Sequence, residues 1–276
     1  MKQILSIFVA LMLLSGCQTN DVLVINRVAA PSTPDKFAAI VIDGGTGKSL
    51  YALAASETRY PASLTKMMTL YLLFDAMQAG QVTKDQLIPI SANAAGQRPS
   101  KIGLKAGSTI DVDSAIRAVT VKSANDIAVA IAEFLAGSED QFAARMTNKA
   151  RELGMARTTF RNASGLHDPL QVTTATDMAR LGLALRQKFP QYFSYFSLRE
   201  TVINGKSIKG HDRVLDMVEG ADGIKTGYTK DSGFNLVTSV WRNGKLMVAV
   251  VMGEDTAKIR DARMAGLIKA TFGRVQ

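Results

Sequence analysis

An α+β fold is the expectation for these 276 residues, and three patterns carry it. Strand-like runs cluster towards both ends of the chain. A long stretch of helical patterning separates them. One helix near residue 70 is apolar almost all the way round, as a helix buried on every side must be. The two chain ends are therefore expected to build one antiparallel sheet covered by helices, with the middle forming a nested, mainly α-helical subdomain.

In chain order, Phe37–Asp43 and Leu50–Ala55 read as a hairpin around a glycine turn. That turn, Gly44-Gly45-Thr46-Gly47-Lys48-Ser49, resembles the end of a phosphate-binding loop. The full pattern needs glycine at position 42, which is Ile42, so nucleotide binding is not expected. Pro61 precedes a buried helix from Ser63 to about Ala79. Helical patterning fills about Thr83 to Gln191 and includes the strongly apolar run Asp126–Leu135. Strands return from Thr201, with Asn204-Gly205 as a hairpin turn. Phe234–Trp241 and Leu246–Met252 pair around Asn243-Gly244. A helix from about Ala257 to Thr271 closes a domain expected to span 37–273, with its helical subdomain at about 83–200.

At 47% hydrophobic and 21% charged residues the composition is that of an ordinary globular domain. Residues 1–16 stand apart: Lys2 opens them and the apolar run Ile4–Leu14 is too short to span a membrane, the pattern of a signal peptide. It ends in Leu14-Ser15-Gly16-Cys17, which looks like a bacterial lipobox. The single cysteine, Cys17, is the expected lipidation site, anchoring the chain to a membrane through a polar tether, residues 17–36. A plain secretory signal beside a chance cysteine is the other reading. Loss of residues 1–16 removes only Lys2, so the net charge of +9 becomes +8. A basic surface suits anionic envelope polymers. No arginine–aromatic pattern points to nucleic acid. The two histidines and one cysteine have no metal-ligand spacing, and no cofactor is expected. His167 is expected to structure the loop Asn162–Pro169, and His211 to lie on a surface turn. No motif fixes an oligomeric state.

Three short motifs carry the chemistry. In Ser63-Leu64-Thr65-Lys66 the three-residue spacing puts both side chains on one face of a helix. Partial burial would lower the pKa of Lys66 and make its amine a base for the Ser63 hydroxyl. A helix cap with a snorkelling lysine fits the same four residues. Ser123-Ala124-Asn125 precedes the apolar helix. Its serine could pass a proton and its asparagine could hold Lys66 and a substrate backbone; a simple cap fits equally. Ser91-Ala92-Asn93 repeats that pattern but is followed by a small, polar, loop-like run, which argues against it. In Lys225-Thr226-Gly227-Tyr228 a Lys-Thr pair on a strand edge could clamp a carboxylate, and Gly227 would let a substrate backbone approach closely. A strand entering a turn is the plain alternative.

Together these motifs resemble those of the penicillin-recognising serine hydrolases. Tyr60–Thr69, Lys122–Ala128, Phe160–Leu166, Thr173–Ala179 and Asp222–Tyr228 narrow the resemblance to the D-alanyl-D-alanine carboxypeptidase family of low-molecular-mass penicillin-binding proteins, over roughly Phe37 to Phe272. It implies a β-lactamase/transpeptidase-like fold. It implies Ser63 as acylated nucleophile, Lys66 as its base and Ser123 as proton relay. Asn125 would orient substrate, and Lys225 and Thr226 would bind the terminal carboxylate of D-alanine. The backbone N–H groups of Ser63 and Tyr228 would form the oxyanion hole. Arg260 sits where an extra carboxylate-binding arginine often occurs; a solvated helix charge is its other reading. The implied substrates are peptidoglycan stem peptides, with β-lactams as covalent inhibitors and the cell envelope or periplasm as location. Relatives often add a β-rich second domain and an amphipathic anchor; ending at Gln276, this chain is expected to lack both. Tyr228 stands where some relatives have histidine. D-alanyl endopeptidase action is the nearest variant. A β-lactamase and a non-enzymatic wall-binding lipoprotein are the more distant ones. No glutamate between Asn125 and Lys225 has the motif of a deacylating base.

Overall fold

The computed structural model describes residues 36–276. The expected signal peptide, Cys17 and all but the last tether residue lie outside the described residues. In chain order the elements are β1 (Ala38–Asp43), β2 (Ser49–Leu53), α1 (Lys66–Gln78), β3 (Leu87–Pro89), α2 (Ala92–Ala95), β4 (Thr109–Asp111), α3 (Val112–Arg117), α4 (Asn125–Ala136), α5 (Glu139–Glu152), α6 (Ala175–Lys188), β5 (Glu200–Ile203), β6 (Lys206–Lys209), α7 (Val214–Met217), β7 (Ala221–Thr229), β8 (Gly233–Arg242), β9 (Lys245–Glu254) and α8 (Ala257–Thr271). Short 3-10 stretches at Ala62–Thr65, Pro190–Ser197 and Phe272–Arg274 and a π-type turn at Ala118–Lys122 complete them.

The five-stranded sheet runs β2-β1-β9-β8-β7, antiparallel throughout, so both ends of the chain meet at its centre where β1 pairs with β9. Side chains of a strand point alternately to opposite faces. Met247, Ala249 and Val251 of β9 accordingly join one apolar cluster with Met264, Leu267 and Ile268 of α8. Val248, Val250 and Met252 join the other, with α1, α4 and α6. Burial on both faces explains why β9 reads as a continuous apolar run rather than an alternation. The turns follow their sequence signals: Asn204-Gly205 has φ of 50° and 72°, and Asn243-Gly244 has φ of 53° and 73°, the paired positive values of a two-residue hairpin.

α1 is buried nearly all round and packs Phe74 among Phe189, Tyr192, Tyr195 and Phe196. The middle of the chain is mainly helical, but the two-stranded pairing of β3 with β4 interrupts it. Strands of three residues are too short for an alternation to be visible in sequence. Among the described residues no helix is long and apolar enough to cross a membrane.

Candidate active site

The site forms where the start of α1, the start of α4 and the edge strand β7 converge. Ser63 lies on the 3-10 turn Ala62–Thr65, and α1 begins only at Lys66. This corrects the expectation of an α-helix from Ser63 but serves the same end, because a 3-10 turn has three residues per turn and stacks positions three apart. Lys66 Nζ lies 3.0 Å from Ser63 Oγ.

Lys66 is completely buried, more than the expected partial desolvation. Its Nζ also donates to Asn125 Oδ1, at 2.7 Å, and to the main-chain carbonyl of Ser164. These two oxygens can only accept, whereas Ser63 Oγ can also donate. A neutral Lys66 amine therefore gives its two N–H bonds to Asn125 and Ser164 and turns its lone pair to the Ser63 hydroxyl. Burial, and secondarily the charge of Lys225, push Lys66 well below the ordinary lysine range, with Asp126 opposing. The geometry thus favours a base over a cap.

The Ser164 carbonyl was invisible to motif reading, since any residue carries one. Its loop is nevertheless built into the site. Thr69 Oγ1 donates to Ala163 O at 2.7 Å, Ala163 N donates to Glu139 Oε1 at 2.9 Å, and Gly165 N donates to Asn162 Oδ1 at 2.7 Å. His167 packs edge-on against Tyr60 at the end of this loop, with ring centroids 5.0 Å apart.

Ser123 follows the π-type turn in a left-handed conformation, φ 60°, uncommon for a residue other than glycine. Its Oγ is buried without a hydrogen-bond partner among the described residues. Asn125 opens α4, and its Nδ2 donates to Arg98 O at 2.8 Å. The following Asp126 accepts from Ile102 N at 3.1 Å and Gly103 N at 2.8 Å, which fixes the segment carrying Pro99 and Ser100 beside the cleft. The rival serine, Ser91, caps the single turn α2 by accepting from Ala94 N at 2.9 Å, and Asn93 points away to Glu133. α2 takes in only the first two residues of the expected loop-like run from Ala94, and 96–100 form turn and loop.

Ser63, Ser123, Asn125, Thr226, Gly227, Tyr228 and Arg260 line one cleft of about 520 Å³. A Cβ on Gly227 would sit 3.1 Å from Ser63 N and 3.2 Å from Leu64 N and Pro61 O. Its glycine therefore lets β7 press against the Ser63 turn, a contact within the protein beyond the expected approach of substrate. Asn235 on β8 secures the same turn by donating to Tyr60 O at 3.0 Å and Pro61 O at 3.2 Å while accepting from Gly253 N at 2.9 Å. Tyr228 is 54% exposed at the cleft mouth and stacks on Phe234.

Lys225 does not line this cleft. It is buried in the wall of an adjoining cavity of about 390 Å³, with Thr226, His211 and Asp212, and donates to Thr226 O at 3.0 Å. Burial pushes its pKa down to about 7. Arg260 is not a solvated helix charge. It is buried, donates to Asp261 Oδ1 from Nε at 2.9 Å and Nη2 at 2.6 Å, and faces the cleft. His211 is on an exposed bend as expected, but that bend forms part of the cleft wall. Asp261 is the one carboxylate among the described cleft residues. No group of three or more His, Cys, Asp or Glu among the described residues is placed to hold a metal.

The sequence model of the family described as D-alanyl-D-alanine carboxypeptidase (Peptidase S11) matches residues 26–256. The chain is 32% identical over 243 residues to the D-alanyl-D-alanine carboxypeptidase DacF of Bacillus subtilis, covering 86% of this chain and 62% of that protein. It is 34% identical over 266 residues to DacA of Escherichia coli, covering 94% and 66%. The chain thus spans less than two thirds of the length of either relative. Among solved structures, penicillin binding protein 5 from Haemophilus influenzae superimposes with a TM-score of 0.83 at 30% identity, over 89% of this chain and 73% of that one. Penicillin-binding protein D2 from Listeria monocytogenes, in a cefotaxime-bound form, gives 0.79 at 28% identity, over 88% and 100%.

Proposed function

The chain belongs to the D-alanyl-D-alanine carboxypeptidase family, and from that premise we propose that it is a serine-type carboxypeptidase removing the terminal D-alanine of peptidoglycan stem peptides. The observation that supports this most is the buried Lys66 amine, 3.0 Å from Ser63 Oγ and oriented by two acceptors. In this reading neutral Lys66 takes the Ser63 proton as Oγ attacks the carbonyl carbon of the D-Ala–D-Ala bond. The N–H groups of Ser63 and Tyr228 receive the oxyanion. Ser123 carries a proton to the departing D-alanine nitrogen. Asn125 orients the peptide backbone. Thr226 and Arg260 hold the terminal carboxylate from the cleft, and Lys225 adds its charge from the adjoining cavity. Water then attacks the ester carbonyl and frees Ser63.

Intact-mass spectrometry of the chain with a penicillin, beside Ser63→Ala, tests the nucleophile. A lasting adduct on the unsubstituted chain alone, together with D-alanine release from a peptide ending in D-Ala-D-Ala, is the expected result. No adduct on folded protein would sink the reading and favour a wall-binding module; an adduct that decays within seconds would favour a β-lactamase. The absence of any glutamate among the cleft's lining residues supports slow loss of the penicilloyl group. Release of D-alanine from monomeric stem peptides but not from crosslinked dimers separates carboxypeptidase from endopeptidase. Export and anchoring through lipid on Cys17 belong to the same proposal on the strength of the sequence pattern. Membrane partitioning should be lost in Cys17→Ser.

A further inference from the structure

One charged group beside the site has no role in the chemistry above. Asp212 lies in the loop between β6 and α7, in the wall of the cavity that adjoins the cleft and shares His211, Arg213 and Thr226 with it. Its Oδ1 accepts from Val214 N at 3.0 Å, while Oδ2 is buried with no hydrogen-bond partner among the described residues. A buried carboxylate oxygen left unpaired is costly unless a nearby charge compensates it. Lys225 lines the same cavity. We propose that Asp212 is the counter-ion of Lys225 and, through it, a positioning residue for the substrate's terminal carboxylate.

The charges around Lys225 make this specific. From α8 comes Arg260, from α1 comes Lys66, and from the β6–α7 loop comes His211, whose proton affinity Lys225 itself lowers after burial. The cavity wall also carries the cations Arg199, Lys209 and Arg213 and two exposed carboxylates, Glu200 and Asp216, the latter paired with Arg199. Asp261 is committed to Arg260. Asp212 is the anion that acts on Lys225, raising its proton affinity against burial and Arg260, and its own carboxyl is pushed up to about 6 by burial. Without that charge Lys225 would shed its proton at lower pH. The carboxylate end of the substrate would then face an uncharged amine.

The inference rests on the proposed role of Lys225, so the test reads binding rather than turnover. In the full chain carrying Ser63→Ala, affinity for an acylated peptide ending in D-Ala-D-Ala is measured by calorimetry from pH 5 to 9, beside the same peptide with its C-terminus amidated. The carboxylate peptide should bind more tightly, and the share of that advantage supplied by Lys225 beyond Arg260 should be lost as pH rises. Adding D212N should move that loss to lower pH by about one unit, whereas D212E should keep the original profile. Thermal melts confirm that each protein is folded. Should D212N fail to fold, a D212E profile moved to lower pH would overturn the proposal. Identical profiles with and without D212N would overturn it too, leaving the clamp intact. Equal binding of the carboxylate and amide peptides at every pH would overturn the clamp itself, and Asp212's role with it.

Discussion

Adding one methyl group at Gly165 should separate catalytic geometry from fold stability. Gly165 has φ +84°, and a Cβ there would lie 1.9 Å from Ala62 O and 3.0 Å from Ser63 N. Approaches under 3.0 Å are essentially never seen, so the loop and the Ser63 turn must part by about 1 Å. The loop cannot yield freely, because Thr69, Glu139 and Asn162 hold it on three sides. Parting them draws the Ser164 carbonyl away from Lys66 or Ser63 away from the amine. A misplacement of about 1 Å at reacting groups costs about 10²-fold in rate. Gly165→Ala is therefore expected to lower the second-order acylation rate with a fluorescent penicillin by about that factor. The left-handed backbone alone adds about 1–2 kcal/mol of destabilisation. Gly154 supplies the control: its φ is +73° with nothing within 4 Å of an added Cβ, so Gly154→Ala carries the backbone cost without the collision. It should lose a few degrees of melting temperature and keep its acylation rate. An acylation rate close to that of the unsubstituted chain in folded Gly165→Ala would refute the reasoning.

Three further outcomes are expected. Asn235→Ala removes the side chain that bridges Tyr60 O, Pro61 O and Gly253 N, with Pro61 O keeping Leu64 N, and should cost about 1–3 kcal/mol by urea unfolding as well as slow acylation. Lys225 holds its proton less tightly folded, at about 7, than unfolded, at 10.5, so the unfolded chain binds more protons between these values and stability rises with pH across that window. Lys225→Met should make this rise shallower in melts taken from pH 7 to 10, leaving the share of Lys66; an unchanged slope would show that Lys225 is not a titrating group. Ser91→Ala removes only the cap of α2, costing about 1 kcal/mol with no loss of acylation rate, which a catalytic serine could not match.

How much of this was legible before the coordinates follows from what each residue contributes. Ser63, Lys66, Asn125 and Thr226 carry distinctive side chains at fixed spacing, and the sequence brings them forward readily. The Asn-Gly hairpins and the apolar β9 are visible for the same local reason. What stayed hidden acts through the backbone or across long sequence separations. The Ser164 carbonyl could belong to any residue, and Asn235 meets the Ser63 turn from more than 170 positions away. Lys225 read as a direct clamp because a motif gives identity without direction. Lys225 lines the neighbouring cavity, whereas Thr226 lines both that cavity and the cleft, and Arg260 the cleft. The left-handed Ser123 depends on the widened turn before it, which Ala-Val-Thr-Val-Lys does not announce.

The same distinction between identity and placement governs the charges. Three buried cations surround the site, and each has an acid nearby: Asp126 for Lys66, Asp212 for Lys225 and Asp261 for Arg260. Only the arginine is in contact with its partner. Asp126 spends its oxygens on the N–H groups of Ile102 and Gly103, and Asp212 accepts from Val214. A contact pair would hold a lysine in its charged form, whereas an acid at a distance only moderates the effect of burial. The arginine is thereby kept as a fixed positive group, suited to a carboxylate, while burial lowers the proton affinity of both lysines, that of Lys225 to about 7. Lys225, when charged, further lowers the proton affinity of Lys66. In the proposed mechanism, the charge that would hold the substrate's carboxylate would therefore also favour the neutral Lys66 amine that accepts the Ser63 proton.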